Sequence, residues 1–362
     1  SGQEEPPKPP RLPPAARRRP DLSAGAPAGA VFVHGAGDCD QLGLGDACRE
    51  RRKPAPLRAL DGHHVVSLAC GGLHTLCLTS DGRVFAWGCG DDGALGRPGG
   101  PGDCEPRPVG LPAGAAVGAV ACGDSHSCAL DLSGRLWLWG SYKDSYGFVG
   151  VPRAGGSVLE KSHQPGLVEG LPPVAGVSSG SNHTLALSAC GQAFAWGSNQ
   201  TGQLGIDSAE CCECQEEEGT SPGGAGQRSS ARRATLAERQ ALLRPQALRL
   251  GPEVRGAFAS AEGSFWTVAG AAFGCGLNAD GQVGVGHARA CVARYQEVPE
   301  IGGAAWIGGG TRFSAALVGG RVFTWGRAAE CGRGEPAHSA LQLRPAPLDL
   351  PPIRALRCGM SH

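Results

Sequence analysis

The sequence has no excess of either charge and no long hydrophobic run. Its 33 Lys and Arg residues are balanced by 33 Asp and Glu residues, so the overall charge indicates neither a nucleic-acid nor a membrane partner, and any such attraction has to be local. No apolar segment has the length of a signal peptide or a membrane span, so we expect no membrane partner. Aromatic residues make up only 5% of the chain, but 41% of the residues are hydrophobic, which suffices for a large core.

The residue arrangements of a bond-making enzyme are also missing. We find no nucleophile paired with a base, no set of metal ligands and no glycine-rich phosphate loop ahead of a helix. Cys211, Cys212 and Cys214 lie close together, but no second pair and no histidine cluster follows at the spacing of a zinc site. We therefore expect no cofactor, no metal and no bond chemistry.

Cysteine is abundant, yet its distribution does not indicate a disulfide framework. Sixteen cysteines are spread over a long chain, and Cys77, Cys128 and Cys275 stand in predicted strands. Disulfide frameworks are typical of short secreted chains that begin with a signal peptide. We expect reduced, buried thiols that behave as small apolar residues of an intracellular protein.

Glycine is the residue in excess, with 60 copies at regular intervals. A motif in which a polar residue and a histidine follow a glycine recurs along the chain, with its aligned glycines at Gly71, Gly123, Gly180, Gly263, Gly310 and Gly359. The steps between them are 52, 57, 83, 47 and 49 residues. The histidine is present in four copies, as His74, His126, His183 and His362. The chain is therefore a series of similar units.

The second half of each unit keeps the same phase. A turn such as Asp81-Gly82 precedes a strand that ends in Trp-Gly, and a Gly-x-Leu/Val-Gly closure follows. The strand ends are Trp87-Gly88, Trp139-Gly140, Trp196-Gly197 and Trp325-Gly326, with Phe273-Gly274 in one copy. Each unit is predicted to have about four short strands with an aromatic lock. A period of about 50 residues built from strands and turns predicts an all-β fold, a β-propeller whose blades cover one another's faces.

Two interpretations of the repeated histidine remain open. A residue that the repeat places at every strand entrance is usually structural, because its ring can hydrogen-bond a neighbouring loop. Propeller symmetry also gathers these residues around one mouth of the central channel, where they would form a polar ring for a partner. Both interpretations can hold at the same time.

One unit contains a segment that no other copy has. The unit at Cys122–Gly150 carries Ser141–Phe148, a polar and aromatic insertion in place of the short glycine-rich link of the other units. Repeats build scaffolds, and the loops on a scaffold carry function. We therefore expect the functional element here.

A tail precedes the propeller repeats, which are predicted to run from 29 to 362. Residues 1–28 are rich in proline and arginine and show no hydrophobic period, which predicts a disordered basic tail. Its Arg17, Arg18 and Arg19 fit an import signal or phosphate contacts, and a solvated tail without a partner explains them equally well.

An insert at about 207–246 accounts for the one long step between repeats. It begins acidic, passes through a Gly/Ser-rich stretch and ends basic. Its segment TLAERQALL at 235–243 predicts a short helix, with Thr235 as the cap and Glu238 three residues on. An exposed linker is the other interpretation of the insert.

These residues resemble the regulator of chromosome condensation family, the chromatin-bound exchange factors for the small GTPase Ran. The stretches that carry the resemblance are GDCDQLGLG at 37–45, ERRKPAPL at 50–57, CGGLHTLCL at 70–78, GCGDDGALGR at 88–97, CGDSHSCAL at 122–130 and LWGSYKDSYGFVG at 138–150. With the weaker later repeats it covers about residues 29–362. Ser141–Phe148 lies in the same blade as the family's β-wedge and has nearly its length and pattern.

The resemblance implies a seven-bladed propeller with one face toward Ran and the other toward nucleosomes. Residue 362 falls at the opening of the last repeat, so we expect that about one repeat is missing and that the last blade is truncated. Because the first residue is Ser1, we expect that the amino terminus is missing as well.

The resemblance also implies a mechanism without bond chemistry. A wedge formed by Tyr142, Lys143, Asp144, Ser145 and Tyr146 would push against the GTPase near its phosphate-binding loop and lower its affinity for the nucleotide. The positions that match those the family presents to Ran are Asp38, His74, Asp124 and Asn182.

Chromatin contacts are implied as well, and with them a nuclear, chromatin-associated location. A family loop in the place of the insert contacts the acidic patch of the histone core, and Arg232 and Arg233 are its nearest matches here. The tail residues Arg17, Arg18 and Arg19 would touch DNA phosphates or bind a nuclear import receptor.

The sequence departs from the family at two of these positions. Asn182 stands where the family carries an Asp that is important for exchange, and Arg312-Phe313 stands where it carries His. Two functions therefore compete. The first is an exchange factor for Ran, and the second is a propeller-type interaction module without exchange activity.

Overall fold

Antiparallel sheets of four strands succeed one another in the computed structural model, which describes residues 30–100, 103–208, 234–251, 253–333 and 340–359. Within these residues there are five such sheets, preceded by a two-stranded sheet of β1 (Phe32–Ala36) and β2 (Glu50–Pro56). The tail at 1–28 lies outside the described residues, as does most of the insert.

Each four-stranded sheet begins with the strand next to the central channel. The first contains β3 (Val65–Cys70), β4 (His74–Thr79), β5 (Val84–Gly88) and β6 (Arg107–Pro108). The second contains β7 (Val117–Cys122), β8 (His126–Asp131), β9 (Leu136–Gly140) and β13 (Ser162–Leu167). The third contains β14 (Val174–Ser179), β15 (His183–Ser188), β16 (Ala193–Gly197) and β17 (Gln246–Ala247). The fourth contains β18 (Val254–Ala259), β19 (Gly263–Val268), β20 (Ala271–Leu277) and β21 (Cys291–Glu297). The fifth contains β22 (Trp306–Gly309), β23 (Phe313–Val318), β24 (Arg321–Arg327) and β25 (Leu341–Pro347).

Two insertions interrupt this order. A separate three-stranded sheet lies between β9 and β13 and consists of β10 (Tyr142–Asp144), β11 (Gly147–Pro152) and β12 (Val158–Leu159). A helix, α1 (Leu236–Ala241), lies between β16 and β17. Thr235 caps α1, and its side chain and that of Glu238 satisfy each other's backbone N–H groups. The predicted short helix is therefore confirmed, together with its cap.

The five sheets are the blades of a propeller. Neighbouring sheets pack through their first two strands, with β7 against β3 and β4, β14 against β7 and β8, β18 against β14 and β15, and β22 against β18. The ends of the five first strands line a central cavity of about 690 Å³. The predicted all-β propeller is thus confirmed.

β1 and β2 fit the same scheme as the outer half of a further blade. VFVHG at 31–35 and VFAWG at 84–88 occupy the same place in the repeat, so β1 and β2 correspond to the third and fourth strands of a blade. Five blades and this half-blade are consistent with the expected ring of seven.

The tryptophan at the end of a third strand ties its blade to the preceding one. In three copies the indole Nε1 donates to a carbonyl in the closure loop of that blade: Trp87 to Gln41 at 3.0 Å, Trp139 to Ala94 at 2.8 Å and Trp325 to Gln282 at 2.7 Å. The closure ends in glycine because the indole leaves no room for a side chain. A Cβ on Gly96, where φ is +67°, would lie 2.9 Å from Trp139 Nε1.

The repeated histidine ties each of the first three four-stranded blades to the blade that follows it. In three copies the imidazole Nε2 hydrogen-bonds a hydroxyl on the second strand of the next blade: His74 to Ser127 at 2.8 Å, His126 to Thr184 at 3.0 Å and His183 to Ser264 at 3.0 Å. Burial lowers the pKa to about 4 for His74 and His183 and to about 3 for His126, so the rings are neutral. The structural interpretation is therefore confirmed for these three histidines, while His362 lies outside the described residues.

The expectation of reduced, buried thiols holds for only some of the described cysteines, since Cys70 and Cys190 are exposed. Cys77, Cys128 and Cys275 form no disulfide and are fully buried in strands. Cys291, by contrast, is disulfide-bonded. No helix in the described part of the chain has both the length and the apolar character needed to span a bilayer.

We predict that replacing His183 by Ala lowers the free energy of unfolding at pH 7.5 by about 2–4 kcal/mol, because it leaves a cavity and removes a buried hydrogen bond. Chemical denaturation of wild type and variant measures this difference. The pKa of His183 is 6.5 in the unfolded state and about 4 in the folded state, so between these pH values the unfolded state binds a proton and the folded state does not. The wild type therefore loses stability as the pH falls from about 6.5 toward 4. The gap between the two proteins should therefore narrow over that range.

His34 provides the control, because its side chain is exposed on β1. His34→Ala should change the free energy of unfolding by less than about 0.5 kcal/mol. A gap for His183→Ala that stays constant between pH 7.5 and pH 4.5 would contradict the buried, neutral histidine.

Candidate functional site

A hairpin leaves the second blade between β9 and β13. β10 and β11 pair antiparallel, with Lys143 opposite Phe148 and Asp144 opposite Gly147. The tip is closed by a hydrogen bond of 2.7 Å from the N–H of Tyr146 to Asp144 Oδ1. The segment that the sequence singled out, Ser141–Phe148, is therefore an ordered hairpin with a two-residue tip.

Tyr142 lies at the base of the hairpin and not at its tip. It is 0% exposed and packs with Val149 and Val151 in the core. Its hydroxyl lies 2.8 Å from Thr184 Oγ1, and its ring centroid lies 4.3 Å from that of His126. The assignment of Tyr142 to the wedge is corrected, because a side chain that fills the core anchors the hairpin and is not available to a partner.

The exposed part of the hairpin is its tip, Ser145 and Tyr146. Tyr146 is 48% exposed. Ser145 is held from the next blade by Gln200, whose Oε1 accepts from the Ser145 N–H at 2.9 Å and whose Nε2 donates to Ser145 Oγ at 2.8 Å. The tip thus protrudes from a supported base.

Lys143 is tied down along the hairpin. Its Nζ lies 2.5 Å from Asp92 Oδ2 and 4.6 Å from the centroid of the Phe148 ring. Asp92 also accepts a hydrogen bond of 2.7 Å from Ser125 Oγ. Burial alone would raise the pKa of Asp92, but the hydrogen bonds from Lys143 and Ser125 outweigh burial and lower it, so this carboxylate is charged.

Asn182 supports the hairpin from the third blade. Its Oδ1 accepts a hydrogen bond of 2.9 Å from the backbone N–H of Lys143. An amide oxygen makes this bond as a carboxylate would. The departure from the family at this position therefore keeps a contact with the hairpin backbone and changes the charge beside it.

Two half-buried carboxylates lie near the channel mouth, and one of them, Asp124, interacts with the hairpin. Asp124 interacts with Lys143 and Ser181, and burial raises its pKa. Glu262 accepts a hydrogen bond of 3.2 Å from Gln203 Nε2. Burial, and then the charge of Asp124, raises the pKa of Glu262 to about 7. Both groups lie on the face of the propeller from which the hairpin protrudes.

The other two predicted GTPase-binding residues differ in exposure. Asp38 is exposed in the loop after β1, at the repeat position of Asp91 in the next blade. His74 is only 2% exposed and bonds Ser127. The assignment of His74 to a partner surface is corrected, because a neutral ring enclosed between two blades offers nothing to a second protein.

The chromatin-binding predictions fall elsewhere. Arg17, Arg18, Arg19, Arg232 and Arg233 all lie outside the described residues. Nothing in the described part of the chain bears on them, and they stay predictions.

Three residues of the site were not assigned to it from the sequence. They are Asp92, Glu262 and Arg239, whose guanidinium pairs with Asp144. The structure corrects the register of the fourth copy, because Gly263 pairs with Gly276 as His183 pairs with Gly197. Gly263 therefore stands at the histidine position, and Glu262 lies directly before it, as Asn182 does in the third blade. For Arg239 no local signal exists, since its partner is 95 residues away.

The arrangement is suited to binding another protein. A short rigid tip stands next to carboxylates that favour basic groups on a partner. In the described ranges no three His, Cys, Asp or Glu side chains come together as a metal site. Asp124 links the channel mouth to the hairpin, because it lines the central cavity and interacts with Lys143.

Comparisons with known proteins agree with this architecture. Residues 30–362 match the sequence model of the RCC1-like domain. The regulator of chromosome condensation of Xenopus laevis is 32% identical over 353 residues, which are 94% of this chain and 77% of the relative. The human E3 ubiquitin-protein ligase HERC2 is 37% identical over 182 residues, 49% of this chain but 4% of HERC2.

Two crystal structures of the yeast protein Prp20 are similar in fold. The first is the crystal structure of Prp20p from Saccharomyces cerevisiae, which was reported together with its binding properties to Gsp1p and histones. The superposition covers 90% of this chain and 76% of the Prp20p chain, at 24% identity and a TM-score of 0.74. The second contains Kap60 bound to yeast RCC1 (Prp20). Here the superposition covers 90% of this chain and 74% of the matched chain, at 25% identity and a TM-score of 0.74.

We predict that Glu262→Gln raises the melting temperature at pH 8 more than at pH 5. The pKa of Glu262 is about 7 in the folded protein and about 4.3 when unfolded. The ionised carboxylate therefore lowers the free energy of unfolding. This loss is absent below the pKa of the unfolded state and reaches its full size above the pKa of the folded state. Melting curves at the two pH values measure the difference.

Glu297→Gln on the same blade is the control, because Glu297 is exposed. It should leave the melting temperature nearly unchanged at both values. An equal gain for Glu262→Gln at pH 5 and pH 8 would show that Glu262 is not held in its protonated form.

Proposed function

Because the chain belongs to the RCC1-like domain family, we propose that it is a guanine-nucleotide exchange factor for the small GTPase Ran. The observation that carries the proposal is the anchored hairpin, whose tip of Ser145 and Tyr146 is exposed and whose Lys143 interacts with Asp92 and Asp124. The similarity to regulators of chromosome condensation supports exchange as the general activity. Exchange of this kind makes and breaks no covalent bond.

The hairpin acts as a wedge in the proposed mechanism. An exchange factor lowers nucleotide affinity by binding the nucleotide-free GTPase more tightly than the loaded one, and the coupling is reciprocal. The tip enters the GTPase next to its phosphate-binding loop and holds that loop away from the phosphates. Tyr142 and Asn182 hold the base of the hairpin in place. Tyr142 does so through its hydrogen bond with Thr184, and Asn182 through its hydrogen bond with the Lys143 backbone.

The carboxylates around the channel mouth orient the partner. Asp38 and Asp124 attract basic groups of the GTPase, and Glu262 joins them when it is ionised. Such long-range attraction acts mainly on the rate and the geometry of encounter. Binding of basic groups also stabilises the ionised form of Glu262.

Action on chromatin is the second part of the proposal. Arg232 and Arg233 would contact the histone acidic patch, and Arg17, Arg18 and Arg19 would contact DNA phosphates or a nuclear import receptor. The histone binding reported for Prp20p and the complex of Prp20 with Kap60 support these partners. With these partners, the location that we propose is the nucleus, in association with nucleosomes.

A propeller module without exchange activity is the other candidate. HERC2 shares the repeats and is named as a ubiquitin ligase. In this chain Asn182 supplies no charge, Arg312 is exposed and Phe313 is buried where the family carries His. An exchange assay separates the two functions.

We predict that this chain accelerates the release of fluorescent GDP from Ran and that replacing both Ser145 and Tyr146 by Ala lowers the maximal rate by about tenfold or more, because the wedge loses its contact surface. Stopped-flow release at saturating protein measures the rate. This double substitution spares the buried base, whereas removing all of Ser141–Phe148 would take Tyr142 from the core.

Leu132→Ala is the matched control, an exposed apolar residue in the β8–β9 turn at the opposite edge of the blade. It should leave the rate unchanged. If the wild-type chain releases GDP and the tip variant does so equally fast, the wedge is not the active element. If the wild-type chain binds Ran without releasing GDP, the interaction module is the correct function.

We predict that Arg232→Glu together with Arg233→Glu weakens binding to nucleosomes by about tenfold, because two attractive charges become repulsive. Electrophoretic mobility shifts on reconstituted nucleosomes measure the affinity. Exchange on free Ran should not change, which controls for folding. Unchanged nucleosome affinity would contradict the role of the insert.

A further inference from the structure

We propose that Arg239, on helix α1 of the insert, is the positioning residue that holds the hairpin tip in its active orientation. The inference rests on the proposed exchange activity for its kinetic consequence, but the contacts stand without it. The observation that carries the inference is a buried contact between the two insertions. The guanidinium of Arg239, in the third blade, is enclosed against Asp144 in the hairpin turn of the second blade.

The contact between Arg239 and Asp144 is almost completely buried. The guanidinium bonds the Asp144 carboxylate, and the two side chains are 9% and 0% exposed. A charge pair this deeply enclosed is not screened by water, and removing either partner leaves the other charge buried without compensation. The pair is therefore a fixed link between the insert and the hairpin.

The carboxylate that Arg239 holds is also the group that shapes the tip. Asp144 Oδ2 meets the guanidinium, while Asp144 Oδ1 accepts the hydrogen bond from the N–H of Tyr146. The guanidinium carbon of Arg239 lies 5.3 Å from the centroid of the Tyr146 ring. Arg239 thus fixes both the turn and the exposed side chain at its end.

The helix that carries Arg239 is anchored firmly enough to serve as a support. Leu243, just after α1, is 0% exposed and belongs to the core cluster that contains Tyr142 and Val149. Gln240 Nε2 donates to the carbonyl of Val149 on β11 at 3.2 Å. The capping box at Thr235 closes the other end. Helix and hairpin therefore share one core, and the guanidinium has little freedom to leave the tip.

We call the contacts of Arg239 with Asp144 and Tyr146 the clamp. Loss of the clamp should lower the rate of nucleotide exchange and should not change the encounter with Ran. The tip keeps its residues in Arg239→Ala, but the Asp144 turn and the Tyr146 ring lose their support. A misplaced active element lowers the maximal rate by about tenfold to a hundredfold. The concentration for half-maximal rate, which depends on the wider surface, should change by less than about twofold, since rim charges govern encounter.

Two measurements test the clamp. Stopped-flow GDP release from Ran gives the maximal rate and the half-saturating concentration for wild type, Arg239→Ala and Arg239→Lys. Hydrogen–deuterium exchange of the full chain gives the protection of the amides at 143–147 without reference to Ran. Arg239→Lys keeps the charge and loses the planar group, so we expect it to recover part of both the rate and the protection.

Arg294→Ala is the control, because it breaks an Arg–Asp pair that is exposed, at 76% and 65% for Arg294 and Asp207. It should change neither readout. Asp144→Asn tests the link from its other end: it keeps the shape of the acceptor and should reproduce the Arg239→Ala effect on both readouts.

The outcomes distinguish this inference from the proposed function. Faster amide exchange at 143–147 together with a reduced maximal rate supports the clamp. Unchanged protection and rate in Arg239→Ala overturn it, and a raised half-saturating concentration at constant maximal rate also overturns it, because Arg239 would then be a contact residue. If the wild-type chain fails to release GDP while Arg239→Ala loosens the hairpin, the clamp stands and the exchange activity falls.

Discussion

The buried hydrogen bond between a histidine of one blade and a hydroxyl of the next is the interaction on which this molecule depends. A blade is a narrow sheet that cannot cover its own faces, so it must pack against neighbours. Hydrophobic packing holds blades together but is not directional. A buried imidazole that finds no partner costs about 1–3 kcal/mol, so each histidine fixes where the next blade stands. The indole–carbonyl bond does the same toward the preceding blade.

The hairpin is fastened to this same interaction. Thr184 Oγ1 lies 3.0 Å from His126 of the preceding blade and 2.8 Å from the hydroxyl of Tyr142. The base of the hairpin therefore sits where two blades are joined by directional bonds. An element that acts on another protein gains from such a base, because a flexible finger would lose binding energy to its own ordering on contact. The contacts that anchor the hairpin are thus part of the contacts that join the second and third blades.

A rigid frame also lets one backbone position carry different chemistry in every blade. The residues directly before the histidine position are Leu73, Ser125, Asn182, Glu262 and Arg312. In the described structure Ser125 binds Asp92, Asn182 binds the hairpin backbone and Glu262 binds Gln203. The frame keeps these side chains on one face, and their differences give that face its polarity. Charge at the mouth is thereby set locally and without strain in the fold.

The sequence by itself determined the repeat, the propeller and the blade that carries the insertion, because glycine, tryptophan and histidine act at short range and recur in phase. It also determined the capped helix of the insert, whose signal lies within Thr235–Leu243. Only the tertiary structure decided that Tyr142 and His74 point inward while Tyr146 points outward, since burial depends on which blade lies alongside. It alone brought Arg239 onto Asp144. Residues far apart along the chain leave no periodic trace, and their contact follows from how two insertions pack on one core.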